Sequence, residues 1–189
     1  MKTTRRTLRI PRCTALGTLL VLCATTGIAS AATSAQLLGC QKYFDSQIRS
    51  YSNVVYQRLF GCAEKVVECQ LAQEIDAIDA TACLARATTG CASAQIKISD
   101  TATSRKAKVL LGCGSDLTIP LADLEQFDQG LGFFNVATAC SAANVSALVD
   151  CVFANAQCAI EHQLFRLDPR AQSSLTTAGV AASFPCVAP

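Results

Sequence analysis

From Cys40 to Cys69 apolar residues and cysteines return every three or four positions: Cys40, Phe44, Ile48, Tyr51, Val55, Leu59, Cys62, Val66 and Cys69. The mean step matches the α-helical repeat of about 3.6 residues, so the pattern predicts one long helix with a single continuous apolar face. Gly61 falls inside it, costs about 1 kcal/mol relative to alanine, and marks a place for a bend. A second, less apolar helix is expected from Cys91 to Cys113. Ile96, Ile98, Val109, Leu110 and Leu111 carry its packing, with Arg105, Lys106 and Lys108 among them. The segment between the two helices is expected to hold a short helix near Asp79 to Thr88, stopped by Gly90.

Downstream, Pro120 opens a short helix through about Phe127, ended by Gly130. Gly130-Leu131-Gly132-Phe133-Phe134 then reads as an apolar turn, an aromatic plug over the core rather than a dinucleotide fingerprint, since no third glycine follows. Asn144 can cap another long helix that runs to about Leu167, with Leu148, Cys151, Asn155, Cys158, His162 and Phe165 on one side. Asp168-Pro169 stops that helix and starts a last short one, ended by Gly179. Alternating runs bounded by turn pairs are missing, so the class is all-α: a disulfide-stapled long antiparallel helical hairpin followed by a smaller helical subdomain.

The cysteines sharpen this picture. Cys40 and Cys62 stand 22 positions apart, as do Cys91 and Cys113. Such a spacing returns to the same helix face about 33 Å along the axis. Two matched helices with a cysteine at each end of the facing seam predict Cys40–Cys113 at one end of a hairpin and Cys62–Cys91 at the other. Cys69–Cys83 then closes the connection. For the remaining four, Cys140–Cys158 and Cys151–Cys186 are favoured. A Cys151–Cys158 bridge is disfavoured, because about 10 Å of helix separates the two positions.

The N-terminus changes the charge. Lys2, Arg5, Arg6, Arg9 and Arg12 precede a short apolar run, Leu16 to Ala24, and then the small-x-small triplet Ala29-Ser30-Ala31. This is the layout of a secretory signal peptide, residues 1–31, cleaved after Ala31. The run is shorter than the ~20 residues of a membrane span. Thr4-Arg5-Arg6-Thr7-Leu8 resembles a twin-arginine signal, but a cysteine-stapled protein fits the unfolded export route better. The full chain of 189 residues has a formal charge of +2. Removal of the leader leaves 11 Lys and Arg against 14 Asp and Glu, net −3, and ten of the 12 cysteines. An even set of cysteines in an exported chain favours five disulfides, and no Cys-x-x-Cys occurs. The expected organisation is the signal peptide 1–31, the hairpin 32–114 and a C-terminal helical subdomain 115–189 packed on it.

Candidate chemistry is sparse. Cys158-x-x-x-His162 has the spacing of two metal ligands, but Cys158 is expected in a disulfide and no second histidine exists. Glu64, Glu68, Glu74, Asp76 and Asp79 form an acidic stretch that reads as a solvated face. With no nucleophile elbow and no free cysteine, neither catalytic, cofactor nor metal residues are assigned, and the protein is read as no enzyme. The charge lacks the clustered basic face of a nucleic-acid binder.

The Cys40-Gln41-Lys42 opening, the matched helices and the cysteine-centred helix from Leu148 to Phe165 together resemble a loosely defined set of secreted, cysteine-rich helical proteins of bacteria. That resemblance implies no activity, substrate or partner. The leading reading is a secreted or periplasmic protein with a structural or protein-interaction role toward an unidentified protein or surface partner. It has no stable membrane span after cleavage. The alternative is a carrier of an apolar small molecule or lipid, with Phe133, Phe134, Phe153 and Phe165 as lining candidates.

Overall fold

Thr33 opens the first helix by a reciprocal cap. Its hydroxyl accepts from the Gln36 backbone N–H at 3.3 Å, and the Gln36 side-chain oxygen accepts from the Thr33 N–H at 2.8 Å. A computed structural model describes residues 32–187 apart from 78, 114–118 and 127–129. The expected signal peptide, the hairpin end at Gly114 and the helix end at Phe127 lie outside the described residues.

Helix α1, Ser34–Asp76, runs 43 residues through Gly61 without a break. Its buried side is the stripe read from the sequence: Cys40, Phe44, Tyr51, Val55, Leu59, Cys62, Val66 and Cys69, with Ile48 half-buried. It stops at Ala77, whose φ of 52° lies in the left-handed region that disfavours a side chain.

Helix α2, Thr81–Gly112, is a single element of 32 residues. The expected short helix stopped at Gly90 is therefore corrected. Ala87, Cys91, Ala94 and Ile98 are all buried at steps of four, three and four, so the apolar face passes straight through Gly90. A helical glycine costs about 1 kcal/mol, which a seam packed along this length exceeds. Cys40 bonds Cys113, Cys62 bonds Cys91 and Cys69 bonds Cys83, so α1 and α2 run antiparallel with a rung at each end.

The rest wraps this hairpin. Helix α3 is Leu121–Glu125, α4 is Phe134–Ala139, α5 is Val145–Leu167 and α6 is Ala171–Thr177; two 3-10 turns, Ala181–Ser183 and Pro185–Val187, follow. Asn144 caps α5 as expected, its Oδ1 accepting from the Ala147 N–H at 2.8 Å. Asp168 ends α5, and its Oδ1 accepts from the Arg170 and Ala171 N–H groups at 3.2 Å, which opens α6. Gly130 sits where a side chain has no room, since a Cβ there would lie 2.0 Å from the Asp123 carbonyl oxygen.

α5 lies against both hairpin helices, and α6 against α1. The buried side of α5 is Val145, Leu148, Val149, Phe153, Glu161 and Leu164. Of the residues expected to share one side, Leu148 is buried, Cys151, Cys158 and Phe165 are half-buried, and Asn155 and His162 are exposed. Among the described residues there is no strand, and no helix is long and apolar enough to cross a membrane.

Candidate functional site

Two features stand out once the side chains are placed. The first is a surface groove of about 550 Å³ where the first third of α1 meets Phe133 and Val152. Leu38, Phe44, Ile48, Phe133 and Val152 give it an apolar floor, and Lys42, Asp45 and Arg49 stand around it. Helical spacing places these α1 residues on one side: 38, 41/42, 45 and 48/49 succeed each other at three or four positions. Phe133 precedes α4 and rests on Phe44 with ring centroids 5.0 Å apart. Leu38 remains half exposed, so apolar surface stays open to solvent. Arg49 grips Asp45 through two hydrogen bonds, at 3.0 and 2.6 Å, so that pair cancels and leaves Lys42 as the net charge of the rim. An apolar floor with a polar rim is the anatomy of a protein-contact surface.

The second is a buried polar chain inside the hairpin–α5 interface. The Tyr51 hydroxyl donates to Gln157 Oε1 at 3.0 Å, and Gln157 Nε2 donates to Glu161 Oε1 at 2.8 Å. Glu161 Oε2 accepts from the Cys186 backbone N–H at 2.9 Å. Glu161 is fully buried. Burial holds its carboxyl above the ordinary range, opposed by the hydrogen bonds from Gln157 and Cys186 and by nearby His162. Burial, and then the nearness of Glu161, push the Tyr51 hydroxyl up to about 12. The chain fastens the C-terminal turn to the core. Sequence reading passed over it, although Glu161 lies eight residues after Phe153 and three before Leu164, in the apolar stripe, where a carboxylate is out of place.

The structure brings together Cys40 with Cys113, Cys62 with Cys91, and Cys69 with Cys83, with Cα atoms 4.3, 5.0 and 5.6 Å apart. The last four cysteines pair otherwise than expected. Cys140 bonds Cys151 and Cys158 bonds Cys186, in place of Cys140–Cys158 and Cys151–Cys186. The physical reason is reach. Cys140 sits just past α4, close to the first turns of α5, while Cys158 lies about 10 Å farther along. The return of the chain through Phe184, which packs on Phe165, delivers Cys186 to the far part of α5.

The four phenylalanines named as lining candidates do not share a cavity. Phe153 is buried against Tyr51, Phe165 meets Phe184, Phe133 walls the groove, and Phe134 is half exposed at a separate surface hollow with Glu125 and Gln126. Cys158 is consumed in a disulfide, so it forms no ligand pair with His162. Among the described residues, no three or more His, Cys, Asp or Glu side chains gather as a metal site. The acidic stretch is exposed: Glu74 pairs with Arg170, and hydrogen bonding from the Thr81 side chain, and then from the Thr81 N–H, holds the Asp79 carboxyl below the usual range.

The fold and these sites define a disulfide-stapled, all-α protein. No family model, curated protein or solved structure matches the chain.

Proposed function

We propose that this is a secreted or periplasmic, non-enzymatic protein that holds a protein partner in the groove beside Phe133. The observation that carries the reading is that groove: exposed apolar floor, mixed-charge rim, and walls fixed by disulfides on either side. A rigid surface loses little conformational freedom on association, which favours binding. Five bridges among the ten cysteines of residues 32–187 support an oxidising compartment, in agreement with the signal-peptide reading of residues 1–31.

The test is a photo-crosslinking amino acid at Leu38, in the groove, and at Ile96, exposed on α2 away from it. A single discrete protein adduct from position 38, not formed from position 96, is expected. Equal labelling from both positions, or no protein adduct, overturns the reading. Adducts with lipid instead favour an acyl-chain carrier, for which the same apolar floor beside Lys42 speaks. The intact mass of the exported protein checks the rest: a chain beginning at Ala32, ten hydrogens lighter than its fully reduced form.

A further inference from the structure

The five disulfides differ in how they are guarded. In the hairpin, Cys40 and Cys113 are 0% and 1% exposed, Cys62 and Cys91 are 4% and 0%, and Cys69 is 2%, so each of these bridges has at least one buried cysteine even though Cys83, the partner of Cys69, is half-buried. Cys140 and Cys151 are both half-buried, at the surface end of α5. Their bridge also has a polar neighbour: the exposed side chain of Asn155, one turn after Cys151, brings Nδ2 within 3.5 Å of Cys151 Sγ and 3.8 Å of Cys140 Sγ. An N–H donor lying on a sulfur stabilises the thiolate that forms when the bond opens, and a stabilised leaving thiolate departs faster.

The position of the bridge gives its opening a consequence. Cys140 is the residue just after α4 and Phe133 the residue just before it. The bridge therefore ties one end of α4 to α5, while at the other end Phe133 lies on Phe44 and walls the groove. A helix of six residues does not persist without tertiary restraint. On both sides the backbone already holds left-handed residues, Gly132 at φ 70° and Ser141 at φ 49°. The serine is strained there in a way a glycine is not.

We infer that Cys140–Cys151 is a thiol-exchange site through which a dithiol reductant, small or protein-borne, loosens the Phe133 wall of the groove. The inference concerns the regulation of the groove assigned above and rests on that reading. In the first step a thiolate of the dithiol attacks Cys140 Sγ. A new S–S bond forms to Cys140, the Cys140–Cys151 bond breaks, and Cys151 leaves as a thiolate accepting from Asn155. The second thiolate of the reductant then attacks its own sulfur in the mixed disulfide and frees Cys140. Two electrons and two protons pass from the dithiol to the two cysteines, and the dithiol becomes a disulfide. Cys158–Cys186 is also half-buried, but the Cys186 N–H is held by Glu161 and the preceding Phe184 is buried against Phe165, so its opening releases less.

The test uses the chain from Ala32 onward, treated with dithiothreitol for graded times, trapped with N-ethylmaleimide and mapped by peptide mass spectrometry. Cys140 and Cys151 are expected to label first, about tenfold or more ahead of the six hairpin cysteines and ahead of Cys158 and Cys186. Asn155→Leu and Asn155→Asp, both at an exposed position, should slow that opening about threefold or more and leave the hairpin cysteines unchanged. Hydrogen exchange of the partly reduced protein should quicken over residues 133–139 and stay constant in α1 and α2. Labelling of another pair first, unchanged rates in both variants, or unchanged exchange over 133–139 each overturns the inference. None of these readouts uses a groove occupant, so they fail independently of the crosslinking at Leu38.

Discussion

Tyr51 and Phe153 meet ring on ring across the hairpin–α5 interface, with ring centroids 5.0 Å apart and planes tilted by 40°, while the Tyr51 hydroxyl reaches past the contact to Gln157. One side chain thus supplies both apolar packing and the first link of the buried polar chain. Tyr51→Phe keeps the ring and leaves Gln157 Oε1 without its donor. A loss of about 1–2 kcal/mol is expected, read from urea unfolding without reductant. A loss within a few tenths would show that water replaces the hydroxyl there.

Glu161 makes stability depend on pH in an unusual direction. Burial raises its pKa above the ordinary value, so the folded state holds the proton more tightly than the unfolded chain. Its contribution is therefore most favourable below the ordinary glutamate pKa of 4.5 and is lost as pH rises from there through the raised folded value. Most paired carboxylates do the reverse. Protonation is accommodated by a turn of the Gln157 amide, since the Tyr51 hydroxyl can accept as well as donate. Glu161→Gln carries the neutral form permanently. It is expected to raise stability at pH 7 and to flatten the profile between pH about 4.5 and 7, as measured by chemical denaturation across that range. A variant less stable than the parent throughout would mean that the Cys186 N–H needs the charged acceptor.

Three glycines separate packing from propensity. At Gly61 and Gly90 a Cβ would meet nothing within 4 Å, and both lie inside helices. Alanine at either should stabilise by about 0.5–1 kcal/mol. At Gly130 the Cβ would meet the Asp123 and Gln126 carbonyl oxygens at 2.0 and 2.7 Å, which backbone movement alone can relieve. Gly130→Ala should cost about 2 kcal/mol or more. Thermal melts of the three variants, run without reductant, test the contrast.

What the sequence made legible was whatever followed from one helix meeting another along its whole length. The nine-position stripe of α1 and the equal cysteine spacings define the hairpin, because a repeat sustained over eight turns has one physical reading. Gly90 is a local signal overridden by its neighbours: in isolation it ends a helix, but Ala87, Cys91 and Ala94 around it share a seam. The last four cysteines were harder. In α5 the spacing puts Cys151 and Cys158 on one side without saying which side faces the core, and it is Phe153, Glu161 and Leu164 that face inward. A glutamate on the inner stripe obscured the pattern, since its acceptance there depends on Gln157 and on the Cys186 backbone, which meet only in the folded molecule. The groove depends likewise on Phe133 and Val152 arriving at α1 from distant parts of the chain.

Among the described residues each bridge closes either within residues 40–113 or within residues 140–186, and none spans the stretch between Cys113 and Cys140. In covalent terms the molecule is two knots on one string. Noncovalent packing, such as Tyr51 on Phe153 and α6 on α1, is all that makes the knots a single body. One peptide cut between them would leave a protein that still migrates as one particle under native conditions. In denaturant it would part into two fragments with every disulfide intact.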